Sequence, residues 1–565
     1  MRILSRLAVF SLALALGACA TANDGAAKPS PVPSDRTQFG NYLSARLAAS
    51  EQDLKGAARY YRAALAADPG NKDLLELAFF FSTSAGDIDD AAKLAERVVA
   101  AQPDDRAGRL ALAVAAMRHR DYAGTRKQIG LSAKGPFGSV TVLLIDAWAA
   151  AGAGDKDVAI ADLGALRAQG VADGLAMFHL ALLADYTGNT QLADTSYLTA
   201  LATTPTPRVI DAYGRFLERA GRKKEASDLY QKSLSQPGME EIANQGLKRI
   251  KSGHRPDALV TRPEDGAAEA LFGIASSLTD RSSTEVSILY LQLALSLRPK
   301  LDLGAVLLAD RFETLGKYED AIVAYRTIDE NSPYWRLAAI EIALDEARLK
   351  HSDAAIAELT ALTASRPDDS EAWTALGDTY RNAEKYKESV DAYDRALALR
   401  GGETSNDWSL FFSRAVAEQG VKDWDAAEAD LKKALALSPN EPTLLNFLGY
   451  TWVDQGRNIP QALEMLEKAH ALKPNDGYIA DSVGWAYYKL GRYPDAARAL
   501  EAAVELVPGD PTINDHYGDA LWHVGRKREA QFQWNHALAF GPADADKAVI
   551  EKKLQDGLDG GAKPN

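Results

Sequence analysis

The sequence predicts an all-α protein built from repeated pairs of helices. Alanine and leucine, two strong helix formers, are abundant along the whole chain. Small and large apolar residues recur at fixed offsets within intervals of 34 or 35 residues. Prolines mark the ends of these intervals, at Pro69 and Pro103, at Pro299, Pro333 and Pro367, and at Pro439, Pro474, Pro508 and Pro542.

Each interval has the residues that two antiparallel helices need. In residues 477–510, the small Gly484 and Ala496 fall where the helices are predicted to cross, and the larger Tyr487 and Leu500 fall beside the crossing. Proline ends the second helix because it cannot continue the hydrogen-bond ladder. One such pair cannot bury its apolar face alone, so the pairs are expected to stack.

The next observation connects the repeat to a known family. Residues 370–403 contain Trp373, Leu376, Gly377 and Tyr380 in the order W-x₂-L-G-x₂-Y. This order and the 34-residue period resemble the tetratricopeptide repeat (TPR). The resemblance implies a right-handed TPR solenoid of about 14 helix-turn-helix repeats. A generic helical bundle is the alternative, but it does not explain the constant period.

The repeat pattern changes along the chain, and these changes predict the domains. A degenerate N-terminal arm covers residues 39–253, and a more regular C-terminal arm of about eight repeats covers 268–543. Residues 254–267 contain two prolines and no apolar period, so they are predicted to be a joint between the arms. Residues 544–558 are expected to form a charged capping helix, followed by a tail, 559–565.

The N-terminus has the features of a secretory signal. Arg2 and Arg6 precede an apolar stretch, residues 7–18, that is too short to cross a bilayer. Cys19, the single cysteine of the chain, ends the sequence Leu-Gly-Ala-Cys, which resembles a bacterial lipobox. The resemblance implies cleavage after residue 18 and lipidation of Cys19. The alternative is a chance cysteine after an ordinary signal peptide.

The residues after Cys19 are expected to be a tether. Residues 19–38 are rich in Ala, Pro and Ser and have no apolar period, so a disordered spacer is predicted. Ala20 stands where an aspartate would favour retention in the inner membrane. By this resemblance, the protein is expected to be anchored by lipid to the outer membrane and to face the periplasm.

Composition and motifs argue against several other functions. The net charge of −14 opposes binding to nucleic acid, which needs basic patches. The eight histidines are scattered, and the sequence has no HExxH spacing, phosphate-binding glycine loop or G-x-S-x-G motif. We therefore expect no metal, no cofactor, no small-molecule substrate and no enzymatic activity.

A partner-binding groove is predicted from the register of the last three repeats. In TPR folds the first helix of each unit faces the groove, chiefly at repeat positions 2, 5, 9, 12 and 13. We expect aromatic anchors there, with exposed aspartates that orient a basic partner. The alternative is ordinary packing between neighbouring first helices. The predicted groove residues are Asn446, Tyr450, Tyr478, Asp481, Trp485, Tyr488, Asp515, Asp519, Trp522 and His523.

A second resemblance concerns function. Residues 445–458, 481–496 and 516–530 follow one another and together resemble the C-terminal block of proteobacterial TPR outer-membrane lipoproteins. A characterised member, from Pseudomonas, is an adaptor that binds a carboxyl-terminal processing protease and presents cell-wall hydrolases to it. The resemblance implies a non-enzymatic adaptor for a periplasmic protease and peptidoglycan hydrolases. The alternative is an assembly scaffold for an export machine handling polysaccharide or pili.

Overall fold

The computed structural model describes residues 37–133, 136–168, 173–236, 238–400 and 404–558. In these residues every regular element is helical, with thirty α-helices and two short 3-10 turns, Arg281–Ser283 and Ser405–Asp407. Each of these helices is too short or too polar to span a membrane. The predicted signal peptide, Cys19, the spacer up to residue 36 and the tail 559–565 lie outside the described residues.

The chain divides into two compact units, residues 1–358 and 359–565. Unit 1 contains α1 (Gln38–Ser50), α2 (Leu54–Ala67), α3 (Lys72–Ser84), α4 (Ile88–Ala101), α5 (Arg106–Arg118), α6 (Tyr122–Gly130), α7 (Pro136–Ala153), α8 (Lys156–Ala168), α9 (Asp173–Thr187), α10 (Thr190–Thr203), α11 (Pro207–Arg219), α12 (Lys223–Ser233), α13 (Glu240–Ser252), α14 (Pro263–Ser277), α15 (Thr284–Leu297), α16 (Asp302–Thr314), α17 (Tyr318–Tyr325) and α18 (Trp335–Arg348). The division falls inside α19 (Ser352–Ser365).

Unit 2 contains α20 (Ser370–Asn382), α21 (Tyr386–Ala398), α22 (Trp408–Gly420), α23 (Trp424–Leu437), α24 (Pro442–Asp454), α25 (Ile459–Leu472), α26 (Gly477–Lys489), α27 (Tyr493–Leu506), α28 (Pro511–His523), α29 (Lys527–Ala539) and α30 (Asp544–Asp556). With α13 and α30 as single helices, the other helices in the described part of the chain form fourteen consecutive pairs. The predicted all-α solenoid of about fourteen helix-turn-helix repeats, with a C-terminal capping helix, is confirmed.

The last complete pair shows how the local sequence sets its helix boundaries. The Asp510 side chain accepts hydrogen bonds from the amides of Thr512 and Ile513, which caps the start of α28. Pro511 follows at the first helical position, where the missing amide costs nothing. Gly525, just beyond α28, has a φ of 86°, a backbone conformation that glycine adopts without strain. The chain can therefore reverse direction within a few residues.

The two helices of a pair approach closely where the sequence predicted a crossing. A Cβ atom added to Gly484 would lie 2.5 Å from Cγ of Leu500, so a larger residue would not fit. The same relation holds between Gly377 and Tyr393 in α20 and α21, at 2.6 Å. Ala496 is fully buried on the opposite helix. The small residues of the repeat are therefore packing residues.

In unit 1, the seventh pair packs against the first helices of earlier pairs. Helix α14 contacts α7 and α9, and α15 contacts α3 and α5. A Cβ atom added to Gly266 of α14 would lie 2.2 Å from the ring of Trp148 in α7, so the two helices meet at a glycine. Eleven of the fifteen residues of α14 are buried. A helix buried nearly all round belongs to a core.

Charged residues of α14 are buried together with their partners. Glu269 forms ion pairs with Arg208 of α11 and with Arg298, whose Nη1 lies 2.9 Å from Oε1 of Glu269. The Tyr122 hydroxyl donates to Oε1 of Glu264 over 2.8 Å. Because each carboxylate has a defined partner, these contacts fix the position of α14 on the face formed by the earlier helices.

This packing corrects the predicted domain boundary. Residues 254–267 were expected to be a joint between two arms, yet Leu259 and Val260 are buried and α14 begins at Pro263. The following pairs complete the core of unit 1, and the boundary between compact units lies about 90 residues later. The prolines and the lack of an apolar period mark an extended segment that is packed against the core.

Candidate partner-binding surface

The predicted groove residues lie on three first helices of unit 2, α24, α26 and α28. Contacts between α24 and α26 and between α26 and α28 place these helices side by side. Thus the structure brings the residues chosen by repeat register into one row. Their exposure differs widely: Tyr478 is 56% exposed and His523 is also exposed; Asn446, Tyr450, Trp485, Asp515 and Trp522 are half-buried; and Asp481, Tyr488 and Asp519 are buried.

Aromatic rings form a continuous stack between α26 and α28. The Trp485 ring lies parallel to Tyr488, with centroids 4.7 Å apart, and parallel to His516 of α28, at 3.9 Å. The Nζ atom of Lys489 lies 5.3 Å from the Trp485 centroid. Stacked rings with fixed partners lose little conformational freedom when they bind another surface. The stack therefore supplies both interhelical packing and a rigid, partly exposed surface.

The stack continues toward the end of α28. Nε2 of His523 lies 3.1 Å from the Tyr488 hydroxyl, and the His523 ring is parallel to that of Tyr493 at 4.2 Å. Farther along, Trp522 packs beside Trp534 of α29 at 5.3 Å, and Lys527 lies over its ring at 4.4 Å. Aromatic rings thus connect four consecutive helices, α26 to α29.

Asp481 and His516 form a buried pair beside the stack. Nδ1 of His516 lies 2.9 Å from Oδ1 of Asp481 and 3.1 Å from its Oδ2. Burial lowers the pKa of His516, but the carboxylates of Asp481, Asp515 and Asp519 together raise it more, so the net pKa lies above its ordinary value. The protonated imidazole of His516 is therefore favoured in the folded state. Burial also raises the pKa of Tyr450, with a further contribution from Asp481.

Asp515 and Asp519 are paired with the capping helix. Nζ of Lys553 in α30 lies 2.7 Å from Oδ2 of Asp515 and 2.9 Å from Oδ2 of Asp519. Trp534 Nε1 also donates to Oδ1 of Asp519 over 3.0 Å. Burial lowers the pKa of Lys553, and the two carboxylates raise it more, which keeps the ammonium charged. These three charges therefore stabilise the contact between α28 and α30.

These ion pairs overturn one expectation about the groove. Asp481, Asp515 and Asp519 were predicted to be exposed carboxylates that orient a basic partner, but each has an internal cationic partner. Sequence reasoning also missed His516 and Lys553 as members of the site. The spacing of His516 and His523 on one helix gave a signal, since two histidines seven residues apart share a helix face. Nothing in the repeat register pointed to Lys553.

The last two repeats also form an open cleft. This cleft of about 540 Å³ is lined by α27, α28 and α29. Phe532 is 59% exposed at its edge, and the Tyr517 hydroxyl donates to Oε1 of Glu501 over 2.9 Å inside it. The lining contains Glu501, Glu505, Glu529, Arg526 and Arg528, so this cleft presents both signs of charge.

The described residues contain no group of three or more histidine, cysteine, aspartate or glutamate side chains arranged to hold a metal ion. The main features of the row formed by α24, α26 and α28 are aromatic rings and paired charges. Such a surface can bind another protein through ring contacts and a few directional polar groups.

Comparison with protein families identifies the repeats directly. Residues 340–404 and 484–546 match one family model described as tetratricopeptide repeat, and residues 48–115 match another with the same description. The matches fall in both units. The match over residues 484–546 includes α28, α29 and most of the aromatic stack.

Two curated proteins are similar to parts of the chain. The TPR repeat-containing protein PA4667 of Pseudomonas aeruginosa is 37% identical over 92 residues, which is 16% of each chain. The BBSome complex member BBS4 of Bos taurus is 27% identical over 112 residues, which is 20% of each chain. The matches therefore span a fifth or less of the length of these relatives.

Several solved structures are similar at low TM-scores. The crystal structure of the APC/C hetero-tetramer Cut9–Hcn1 has a TM-score of 0.38 and 16% identity, covering 92% of this chain and 96% of that one. MamA has a TM-score of 0.27 and 21% identity, covering 29% of this chain and 94% of that one. YrrB, a TPR protein with an unusual peptide-binding site, has a TM-score of 0.28 and 20% identity, covering 35% of this chain and 98% of that one. From the helix pairs and the repeat matches together, the fold is that of a tetratricopeptide-repeat solenoid.

Proposed function

We propose that this protein is a lipid-anchored adaptor of the bacterial cell envelope that holds a periplasmic processing protease near its cell-wall hydrolase substrates. TPR repeats point to protein–protein interaction, and the repeats are present in both units. The envelope location rests on the sequence around Cys19. The choice of protease and hydrolases rests on the resemblance of residues 445–530 to TPR outer-membrane lipoproteins.

One observation favours unit 2 as the site of the proposed docking surface. In unit 1, α14 and α15 pack against the first helices of the earlier pairs. In unit 2, the first helices α24, α26 and α28 contact one another in a row and present Tyr478 and His523 to solvent. Since the face of unit 1 already holds part of its own chain, the row in unit 2 is the better candidate for an external partner.

We expect Tyr478 and the exposed edge of Trp485 to be the anchors of this surface. Aromatic anchors commonly cost about 2–4 kcal/mol of binding free energy on truncation, about 30-fold or more in affinity. Tyr478 is the sharper test because it is exposed, so Tyr478→Ala removes a contact surface with little effect on folding. Trp485→Ala would also loosen the stack, and its effect on affinity must be read together with the melting temperature.

The test is affinity purification of the tagged protein from crosslinked cells, with partners identified by mass spectrometry. Wild type should recover a periplasmic protease and peptidoglycan hydrolases, and Tyr478→Ala should lose most of them. Phe532→Ala is the matched control, because Phe532 is equally exposed but lies on a second helix, outside the row. Equal loss with both variants would contradict the assigned surface.

Two other results would contradict the proposed role itself. Recovery of export-machine components in place of the protease would support the alternative scaffold. Turnover of a substrate by the purified protein alone would contradict the adaptor role. The anchor is tested separately: cells grown with a fatty-acid analogue should label the protein, and Cys19→Ala should remove the label. An unlabelled wild-type protein would refute the lipid anchor and leave the partner assignment untouched.

A further inference from the structure

The first helix of the solenoid carries an apolar stripe that the rest of the described chain leaves exposed. Phe39, Leu43 and Leu47 of α1 are 69%, 50% and 58% exposed. Their spacing of four residues places them on one side of the helix. The other side packs through Ala45 and Ala48, which are buried. Helix α1 therefore has two apolar sides, and the described residues of unit 1 cover only one of them.

Two of these three repeat positions are covered in later pairs. Taking Gln38 as the first position of α1, Leu43 and Leu47 occupy positions 6 and 10. In α26 these positions hold Ser482 and Ala486, and in α20 they hold Ala375 and Thr379. All four of these residues are buried. In α1, by contrast, positions 6 and 10 hold the large apolar residues Leu43 and Leu47, and both are exposed. Burying them requires a further surface.

The charge on this helix points to the nature of that surface. Helix α1 contains one charged residue, Arg46, and no acid, although Asp35 precedes it and Glu51 and Asp53 follow it. Arg46 is exposed on α1. A helix with exposed apolar residues whose own charged side chain is basic suits the interface of an anionic bilayer, where apolar burial and attraction to lipid phosphates add together.

The size of the stripe and the chain before it favour a membrane over a second copy. Three side chains at this exposure offer roughly 300 Å², well below the ~800 Å² per partner of a stable protein interface. A small contact is sufficient when a tether supplies a high effective concentration. A flexible chain of eighteen residues, the number from Cys19 to Arg36, averages roughly 25 Å from end to end, so a lipid at Cys19 would hold α1 close to the bilayer.

We propose that α1 lies on the membrane surface, with Phe39, Leu43 and Leu47 inserted among the lipids of an anionic bilayer. The location of this contact in the cell rests on the proposed lipid anchor. The contact itself depends on a tether of this length and can be measured with an artificial one. It would hold the N-terminal end of unit 1 against the membrane.

The experiment uses residues 20–565 with a hexahistidine tag in place of Cys19, tethered to vesicles of phosphatidylethanolamine, phosphatidylglycerol and a nickel-chelating lipid. Removal of Cys19 leaves no thiol, so Leu43→Cys can carry a single NBD fluorophore. On addition of vesicles, the NBD emission should shift to the blue and increase at least two-fold. Doxyl-labelled lipid should quench it. Adding Phe39→Ser and Leu47→Ser should remove most of the change.

Leu198→Cys is the matched control, because Leu198 is also 50% exposed but lies on α10. Its NBD emission should not respond to vesicles. No response at Leu43 in a folded, vesicle-bound protein would overturn the proposal. A blue-shifted Leu43 signal without vesicles would also overturn it; a dimer in solution would then identify a second copy as the cover, and a monomer would identify residues 20–36. Because the tether is artificial, failure of fatty-acid labelling at Cys19 would leave this result unaffected.

Discussion

The two units use the same helix pair but treat the face of their first helices differently. In unit 1 this face is covered by α14 and α15, which belong to the same unit. In unit 2 the first helices contact their neighbours in the row, and only the last one is paired by charge with α30. A TPR-type face can therefore serve as an internal packing surface. Repeat number alone therefore does not measure how much binding surface a solenoid offers.

The largest effect on stability is expected at the ion pairs that hold α14 in unit 1. Glu269→Ala would leave Arg208 and Arg298 with unpaired charges in the interior, which should cost about 3–5 kcal/mol of unfolding free energy. Hydrogen exchange measured by mass spectrometry should show faster exchange in α14, α7 and α11. Glu240→Ala, at an exposed acid of α13, should change stability by less than about 0.5 kcal/mol. Normal protection of α14 in the Glu269 variant would mean that packing alone holds this helix.

The corresponding contact in unit 2 is the ion pair with the capping helix. Lys553→Met keeps the length of the side chain but leaves Asp515 and Asp519 facing each other without a cation, at an expected cost of about 2–4 kcal/mol. Exchange should increase in α28 to α30 and remain unchanged in unit 1. Lys552→Met, at the exposed neighbouring lysine, is the control and should be nearly neutral. Equal effects of the two substitutions would contradict a structural role for Lys553.

The stability of unit 1 should depend on pH through a cluster of acidic side chains around Glu313. Burial, together with Glu341 and Asp345, raises the pKa of Glu313 from 4.5 to about 7. Between pH 4.5 and 7, the folded state keeps a proton on Glu313 that the unfolded state has lost. The stability that depends on protonated Glu313 is therefore complete below pH 4.5 and is lost as the pH rises through 7. Glu313→Gln should therefore raise stability at pH 8 by about 1–3 kcal/mol and change little at pH 4.5. Thermal melts at both pH values provide the measurement, and a pH-independent difference would contradict this assignment.

The smallest of these effects is expected at His516 in unit 2. Its pKa is raised in the folded state, so the stability from its pair with Asp481 is complete below the ordinary histidine value of 6.5 and is lost as the pH rises through the higher folded value. His516→Gln should lower stability by about 1–2 kcal/mol at pH 6 and by less at pH 9. His536→Gln, an exposed histidine of α29, should show no such difference. A larger loss at pH 9 than at pH 6 would mean that the neutral ring is the favoured form.

Sequence periodicity predicted the helix pairs because their boundaries depend on local residues. The prolines and the small residues at Gly377 and Gly484 act within one pair, so their meaning can be read from one interval. The register also identified Trp485, Tyr488 and Trp522 as neighbours in one row. The ionic partners were missed because Lys553 reaches Asp515 and Asp519 across 38 and 34 residues, from a helix outside the repeat pattern.

The position of α14 was also beyond a reading of periodicity. A helix that packs on its neighbours shows one apolar stripe, but α14 is buried on most sides and therefore shows none. Its alanines and Gly266 permit close contact with Trp148, and the carboxylates of Glu264 and Glu269 find partners on helices far away in sequence. Local patterns contain no information about such distant partners.

The covered face of unit 1 has a consequence for the order in which the chain folds. Repeat proteins can usually fold progressively, because each repeat needs only its neighbours. Here Trp148 and the first helices around it receive their covering helices only when residues 263–297 emerge, more than 100 residues later. During synthesis, the second to fifth pairs must therefore wait with an apolar face unprotected, and this interval is when unit 1 is most exposed to aggregation and proteolysis.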